Sequence, residues 1–121
     1  GRPAGIEGLR EHRLVGLDGS MAGHRAAKWL REIAPDGNIV ARNQSVLGLV
    51  SAVKSGLGLG ALPTALGDHD PDLVRVLGPV PALTRIWRVL AHPRARHAPR
   101  VAAFFDFLAG EEDALRRILT G

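Results

Sequence analysis

Small polar residues fall in two clusters of this chain, Gly19-Ser20 and Asn43-Gln44-Ser45. Each lies between an apolar run that reads as a strand and a stretch with helical periodicity. Hydroxyls and amides there, beside the first amides of a helix, suit a carboxylate or other small oxyanion. The same residues would also serve as plain turn and cap residues of a packed core. Other chemistry is poorly supplied. With no cysteine, thiolate metal sites, thiol nucleophiles and a disulfide framework are excluded. The five histidines lack metal spacing such as i and i+4 on a helix. His69-Asp70-Pro71-Asp72 reads as a polar turn, and His92 and His97 flank a proline-broken linker. None of Ser20, Ser45, Ser51 and Ser55 lies in a G-x-S-x-G elbow, and Asp18, Glu32, Asp36 and Asp106 are scattered. Gly56-x-Gly58-x-Gly60 superficially matches a dinucleotide fingerprint, but it follows a helix and enters a strand, the reverse of the required order. The residues argue for binding rather than catalysis, with no cofactor and no metal.

The elements that must position these clusters follow from periodicity. Gly1 to Glu11 has none and reads as a loose lead-in. Arg13 to Asp18 is a short buried strand closed by Gly19-Ser20. From Gly23 to Ala34 a helix follows, with Ala26, Trp29, Leu30 and Ile33 as its apolar stripe, and Pro35-Asp36-Gly37 stops it. Ile39 to Arg42 is a second strand. Ser45 then caps a second helix whose stripe is Val46, Leu49, Val50 and Val53, with Gly56 as its C′ residue. Leu57 to Leu62 reads as a third strand, ended by Pro63. Two strand-to-helix crossovers in succession imply an α/β fold, an open, mainly parallel sheet with helices on both faces. In such a sheet both polar clusters emerge at the carboxyl edge, where ligands bind.

Further on, the T-A-L-G-D-H-D-P-D segment has room for one helical turn, and Leu73 to Leu77 reads as an edge strand. Thr84 to His92 alternates as a strand, with Trp87, Val89 and Ala91 on one face and Ile86, Arg88 and Leu90 on the other. Pro99 opens a last helix with the stripe Val101, Phe104, Phe105 and Leu108, continued by Leu115 and Leu119 beyond Gly110. All three phenylalanines fall in that helix, and so much aromatic surface must bury against something.

A length of 121 residues and an apolar content of 45% suffice for a single domain with a real core. No run of about 18 uncharged apolar residues and no positive-then-apolar leader is present, so neither a membrane span nor a signal peptide is expected. The net charge of +4 is mostly arginine and dispersed. Its one acid-free run, Arg85 to Arg100, lacks the aromatic interleaving of a nucleic-acid platform, and a solvated basic edge is the expectation.

Taken together, Val53-Lys-Ser-Gly56-Leu-Gly58-Leu-Gly-Ala-Leu62-Pro63 resembles the V-x-x-G-x-G-x-x-x-L-P signature of the effector-binding domain of LysR-type transcriptional regulators. The later run Ile86 to His92, followed by Arg96, Pro99-Arg100-Val101 and Phe104 to Leu108, is similar to that family's closing strand and helix. The resemblance spans roughly residues 8 to 110. It implies a periplasmic-binding-protein type 2-like fold of which this chain supplies mainly the second subdomain. Residues 1–11 would be the lead-in, 12–92 the α/β subdomain, and 93–121 the returning linker and C-terminal helix. It implies a small, anionic effector in an inter-subdomain cleft, lined from this side by Gly19, Ser20, Asn43, Gln44, Ser45, Pro63 and Thr64. It further implies a non-enzymatic, cytoplasmic protein whose DNA contacts belong to an N-terminal helix-turn-helix outside this stretch. A homodimer through the apolar C-terminal helix or a sheet edge is also expected. A solute-binding module of a transport system is the alternative with the same fold.

Overall fold

Strand β1, Leu14–Leu17, is buried at every position, as a central strand covered on both faces requires. The computed structural model describes residues 1–34 and 36–120. In it β1 lies between β2, Ile39–Asn43, and β3, Leu59–Gly60, in an open, all-parallel three-stranded sheet of order β2-β1-β3. The chain is thus the mixed α/β fold that the two crossovers predict.

Helices close both faces. On one, Leu30 of helix α1 (Arg25–Ile33) packs with Leu14, Ile39 and Ala34. On the other, Leu49 of helix α2 (Val46–Lys54) packs with Val15 and Leu17. Two strand glycines bring these helices close. A Cβ on Gly16 would meet Leu30 Cδ2 at 3.2 Å, and one on Gly60 would meet Val53 Cγ2 at 2.7 Å. The buried line of α1 runs through Ala27, Leu30 and Ala34, while Ala26, Trp29 and Ile33 are half-buried. The stripe is therefore rotated by one residue from the periodicity reading, because the small alanines let the helix settle nearer the sheet.

An irregularity in β2 decides which side chains reach which face. Leu14 pairs with Ile39, but Val15 pairs with Ala41, leaving Val40 as an extra residue. Partners in a parallel ladder share a face, so this bulge returns Arg42, opposite Gly16, to the α1 side with Ile39. Strict alternation would have sent Ile39 and Arg42 to opposite faces.

Several expectations need correction. The lead-in is not loose: Glu7–Glu11 forms a 3-10 turn, and Leu9, 6% exposed, belongs to the core beside Leu14 and Leu30. Arg10 Nε donates to the Ile33 carbonyl at 2.7 Å, and the Asn38 side-chain amide donates to the Arg10 carbonyl. Side-chain anchoring of this kind is aperiodic and leaves no sequence pattern. The third strand is two residues long rather than six, Leu59–Gly60. Leu73 to Leu77 makes no strand; the Arg75 guanidinium holds the Asp68 carboxylate, and Leu77 packs against the core instead. The single turn expected after Pro63 is helix α3, Thr64–Gly67. Pro35, part of the expected helix stop, lies outside the described residues.

Contacts divide the chain into residues 1–84 and 85–121, and among the described residues every side chain of the buried core lies in the first unit. In the second unit, residues 85–92 form no strand, and Ile86, Trp87, Val89 and Leu90 are mostly exposed. An alternating segment becomes a strand only where a neighbour takes its backbone hydrogen bonds. Helix α4, Pro99–Gly110, starts at its proline as expected and is followed by α5, Glu112–Thr120. Phe105 and Leu108 are half-buried, but Phe104 and Phe107 are exposed. Phe104 and Phe105 meet edge to face, with centroids 6.4 Å apart.

Candidate ligand site at the carboxyl edge of the sheet

At the carboxyl end of β1 the ladder gains one further bond, the Asp18 amide donating to the Asn43 carbonyl at 2.8 Å. The chain then turns sharply. Asp18 Oδ1 accepts from the Gly19 amide at 2.8 Å, which caps a 3-10 turn over Gly19–Met21. Gly19 sits at φ +57°, and a Cβ there would lie 2.9 Å from Gln44 Cγ and Cδ. Glycine is thus required twice at this point, for the left-handed backbone and for the Gln44 side chain lying against it. Ser20 is exposed in the same turn.

After β2 the chain bends into α2. Ser45 is extended, and its Oγ accepts from the Gly48 amide at 3.0 Å, the N-cap that its residue type predicts. The hydroxyl keeps a proton to donate. The amides of Val46 and Leu47 occupy the helix end, where no intrahelical acceptor exists. Asn43 is half-buried beneath this turn. Its Nδ2 is buried and has no hydrogen-bond partner in the protein, a cost of about 1–3 kcal/mol unless some acceptor meets it.

The structure therefore joins Asn43 to Asp18 by a hydrogen bond and Gln44 to Gly19 by contact, with Ser45 at the helix start beside them. Pro63 and Thr64 reach the same edge by topology, three residues or more beyond β3, which flanks β1 on the side away from β2. Pro63 caps α3, and its carbonyl accepts from Leu66 and Gly67 at 2.9 Å each.

Sequence reading assigned no binding role to the residues on the α1 side of this edge. A cavity of about 250 Å³ opens there over Gly16, Ala27, Leu30 and Ile39, and Asp18, Arg31 and Arg42 stand around it. Arg42 Nε lies 3.9 Å from Asp18 Oδ2, a charge contact rather than a hydrogen bond. Arg31 Nη2 donates to the Ala22 carbonyl at 2.9 Å. The one available signal was an arginine in an otherwise apolar strand. The bulge that aims it is silent in the sequence.

The polar turn at His69 to Asp72 holds an internal cation: Asp70 and Asp72 both contact Lys54. Among the described residues no group of three or more His, Asp or Glu could hold a metal ion, and no helix is long and apolar enough to cross a membrane.

The carboxyl edge of a parallel α/β sheet, where the glycine, amide and hydroxyl groups of this chain lie, is where folds of this class hold small ligands. The family model described as LysR substrate binding domain matches residues 1–113, and the chain belongs to that family. Its members are regulatory ligand-binding domains with a periplasmic-binding-protein-like fold, which sense effectors in LysR-type transcriptional regulators. No curated protein and no solved structure matches the chain.

Proposed function

We propose that this chain is mainly the second subdomain of the effector-sensing domain of a bacterial LysR-type regulator. It would take a small anionic effector at the carboxyl edge, in a cleft shared with a first subdomain. The observation that carries this reading is the buried, unpartnered Asn43 amide under the first turn of α2, beside the Gly19–Gln44 contact. That donor, the Ser45 hydroxyl and the helix-end amides all offer protons to an acceptor. Ser20, Pro63 and Thr64 complete the wall.

In the intact regulator, effector bound across the cleft would favour a closed arrangement of the subdomains. The change would pass to the dimer and then to a helix-turn-helix on DNA. The protein would act in the cytoplasm, without catalysis and without a cofactor. The family match favours this reading over a transport solute-binding module.

Nuclear magnetic resonance titration of the chain with a panel of small organic acids tests it. Saturable shifts at Ser20, Asn43, Gln44 and Ser45, diminished by Asn43→Ala, are expected. Acids that shift none of these residues would overturn the assignment of the edge.

A further inference from the structure

Helix α1 is tied at its start to two distant stretches of the chain. Behind it lies the Gly19–Met21 turn of the carboxyl edge. Ahead of it, Arg25, its first residue, donates from Nη1 to the Thr84 carbonyl at 3.0 Å, across 59 residues of sequence. We propose that Arg25 is a positioning residue of the effector response. Through it, a change at the Gly19–Met21 turn reaches the point where the chain leaves the first unit. This role rests on the reading of that turn as part of the effector edge.

From turn to helix the connection is short and hydrogen-bonded throughout. The Ala22 amide donates to the Gly19 carbonyl at 3.1 Å, and the His24 amide donates to the Met21 carbonyl at 2.9 Å. His24 Nδ1 accepts from the Ala26 amide at 3.3 Å as the cap of α1. Arg31, further along the same helix, holds the Ala22 carbonyl at 2.9 Å. A shift of the turn therefore carries the start of α1 with it, because bonded elements of this kind move as one body.

The outgoing chain meets the same helix. Leu77 packs against the core cluster that also takes Trp29 and Ile33 of α1. The 3-10 turn Pro81–Leu83 lies against α1, and the Thr84 amide closes that turn on the Pro81 carbonyl at 3.1 Å. Thr84 is the last residue of the first unit. Beyond it, residues 86–91 exchange no backbone hydrogen bond among the described residues. Order resumes at the His92 carbonyl, which accepts from the Ala95 and Arg96 amides at 2.9 and 3.0 Å. Short segments held only at their ends are where chains absorb the backbone rotation of a domain movement. The direction such a segment takes depends on how its first end is held, and Arg25 holds that end. Its guanidinium keeps its charge at every ordinary pH and has further donors to spare.

Amide chemical shifts of the whole chain provide the test, in a cycle of variants that needs no ligand. Gly19→Ala and the milder Gln44→Ala disturb the edge, and Arg25→Ala breaks the tie to Thr84. The Arg25–Thr84 bond stands in solvent, so its removal should leave the remaining spectrum in place; Arg25→Gln serves if the truncation disturbs the helix start. With Arg25 present, each edge variant should shift the Leu83 and Thr84 amides. Without it those shifts should shrink at least about fivefold, as non-additivity between coupled sites requires. The shifts at Ala22 and His24 should persist. Arg25→Lys, which keeps a charged donor, should restore part of the response at Leu83 and Thr84.

Equal shifts at Leu83 and Thr84 with and without the Arg25 side chain would overturn this role, as would edge variants that leave both amides unmoved. The organic-acid titration separates the two readings. An acid that binds the edge and moves Leu83 and Thr84 alike in the unmodified chain and in Arg25→Ala would remove the role of Arg25 and leave the effector edge standing. Failure of every acid to bind would overturn the edge, and the regulatory role of Arg25 with it, whatever the variant cycle shows.

Discussion

The ammonium of Lys54, the last residue of α2, lies 2.9 Å from Asp70 Oδ2, and Asp72 Oδ2 is 3.0 Å from the same nitrogen. This clasp ties the turn at residues 70–72 to the carboxyl end of α2, where a cation is also favoured by the helix dipole. The Lys54 hydrogen bond, and then the Asp72 amide, hold the Asp70 carboxyl below the usual carboxylate range. The hydrogen bonds from Lys54 to Asp70 and then to Asp72 raise the Lys54 ammonium above the usual lysine range.

The pH dependence of stability follows from these directions. A depressed carboxyl contributes above its ordinary value, and the contribution is lost as pH falls through the lowered folded value. A raised ammonium contributes below its ordinary value, and the contribution is lost as pH rises through the raised folded value. Lys54→Met should therefore lower stability slightly at neutral pH and flatten the loss at the acid end. Urea denaturation as a function of pH checks this; identical acid limbs for the two proteins would show that the clasp contributes nothing. The effect should be small, because both groups are open to solvent screening.

Leu9→Ala should destabilise the fold by about 2–5 kcal/mol, the range for truncating a buried leucine. Leu9 is 6% exposed and packs with Leu14, Leu30, Ala34 and Ile39. A urea titration that moved by only a few tenths of a kcal/mol would return the first eleven residues to a mere lead-in.

Gly19→Ala should cost about 1–2 kcal/mol for the left-handed backbone alone, and the new methyl must also displace Gln44. Combining it with Gln44→Ala should recover the steric part and leave the backbone part. Thermal unfolding of the single and double variants separates the two contributions. A double variant no better than Gly19→Ala would mean that Gln44 moves aside freely.

Ser45→Ala removes the acceptor of the Gly48 amide and should lower stability by about 1 kcal/mol. If the hydroxyl also meets effector, the full-length regulator should lose effector response by more than that loss explains. A response equal to that of the unmodified regulator would confine Ser45 to capping.

Phe104, Phe107, Trp87 and Leu90 are each more than half exposed in the 85–121 unit. Chains rarely leave such surface uncovered. Light scattering should detect self-association that Phe107→Glu reverses. A strict monomer at high protein concentration would rule out pairing through α4.

Much of this molecule was legible from local pattern. The starts of α2 and α4 follow from Ser45 and Pro99. The stop of α2 follows from Gly56, at φ +79°. Parallel pairing followed from strand-helix alternation. Strand length was not legible, since Leu57 to Leu62 reads as six strand residues and only Leu59–Gly60 finds a ladder. Thr84 to His92 alternates cleanly, yet no neighbour in the structure accepts it as a strand.

Of the candidate edge, the amino-acid sequence by itself determined the small polar residues, the cap and the turn glycine. These are local matters, set by backbone conformation within a few residues. Which groups meet was decided only by the tertiary structure. The Gly19–Gln44 contact joins residues on two different strand exits, and the Val40 bulge sets the face on which Arg42 stands. Both depend on ladder register, which no short stretch of chain specifies alone.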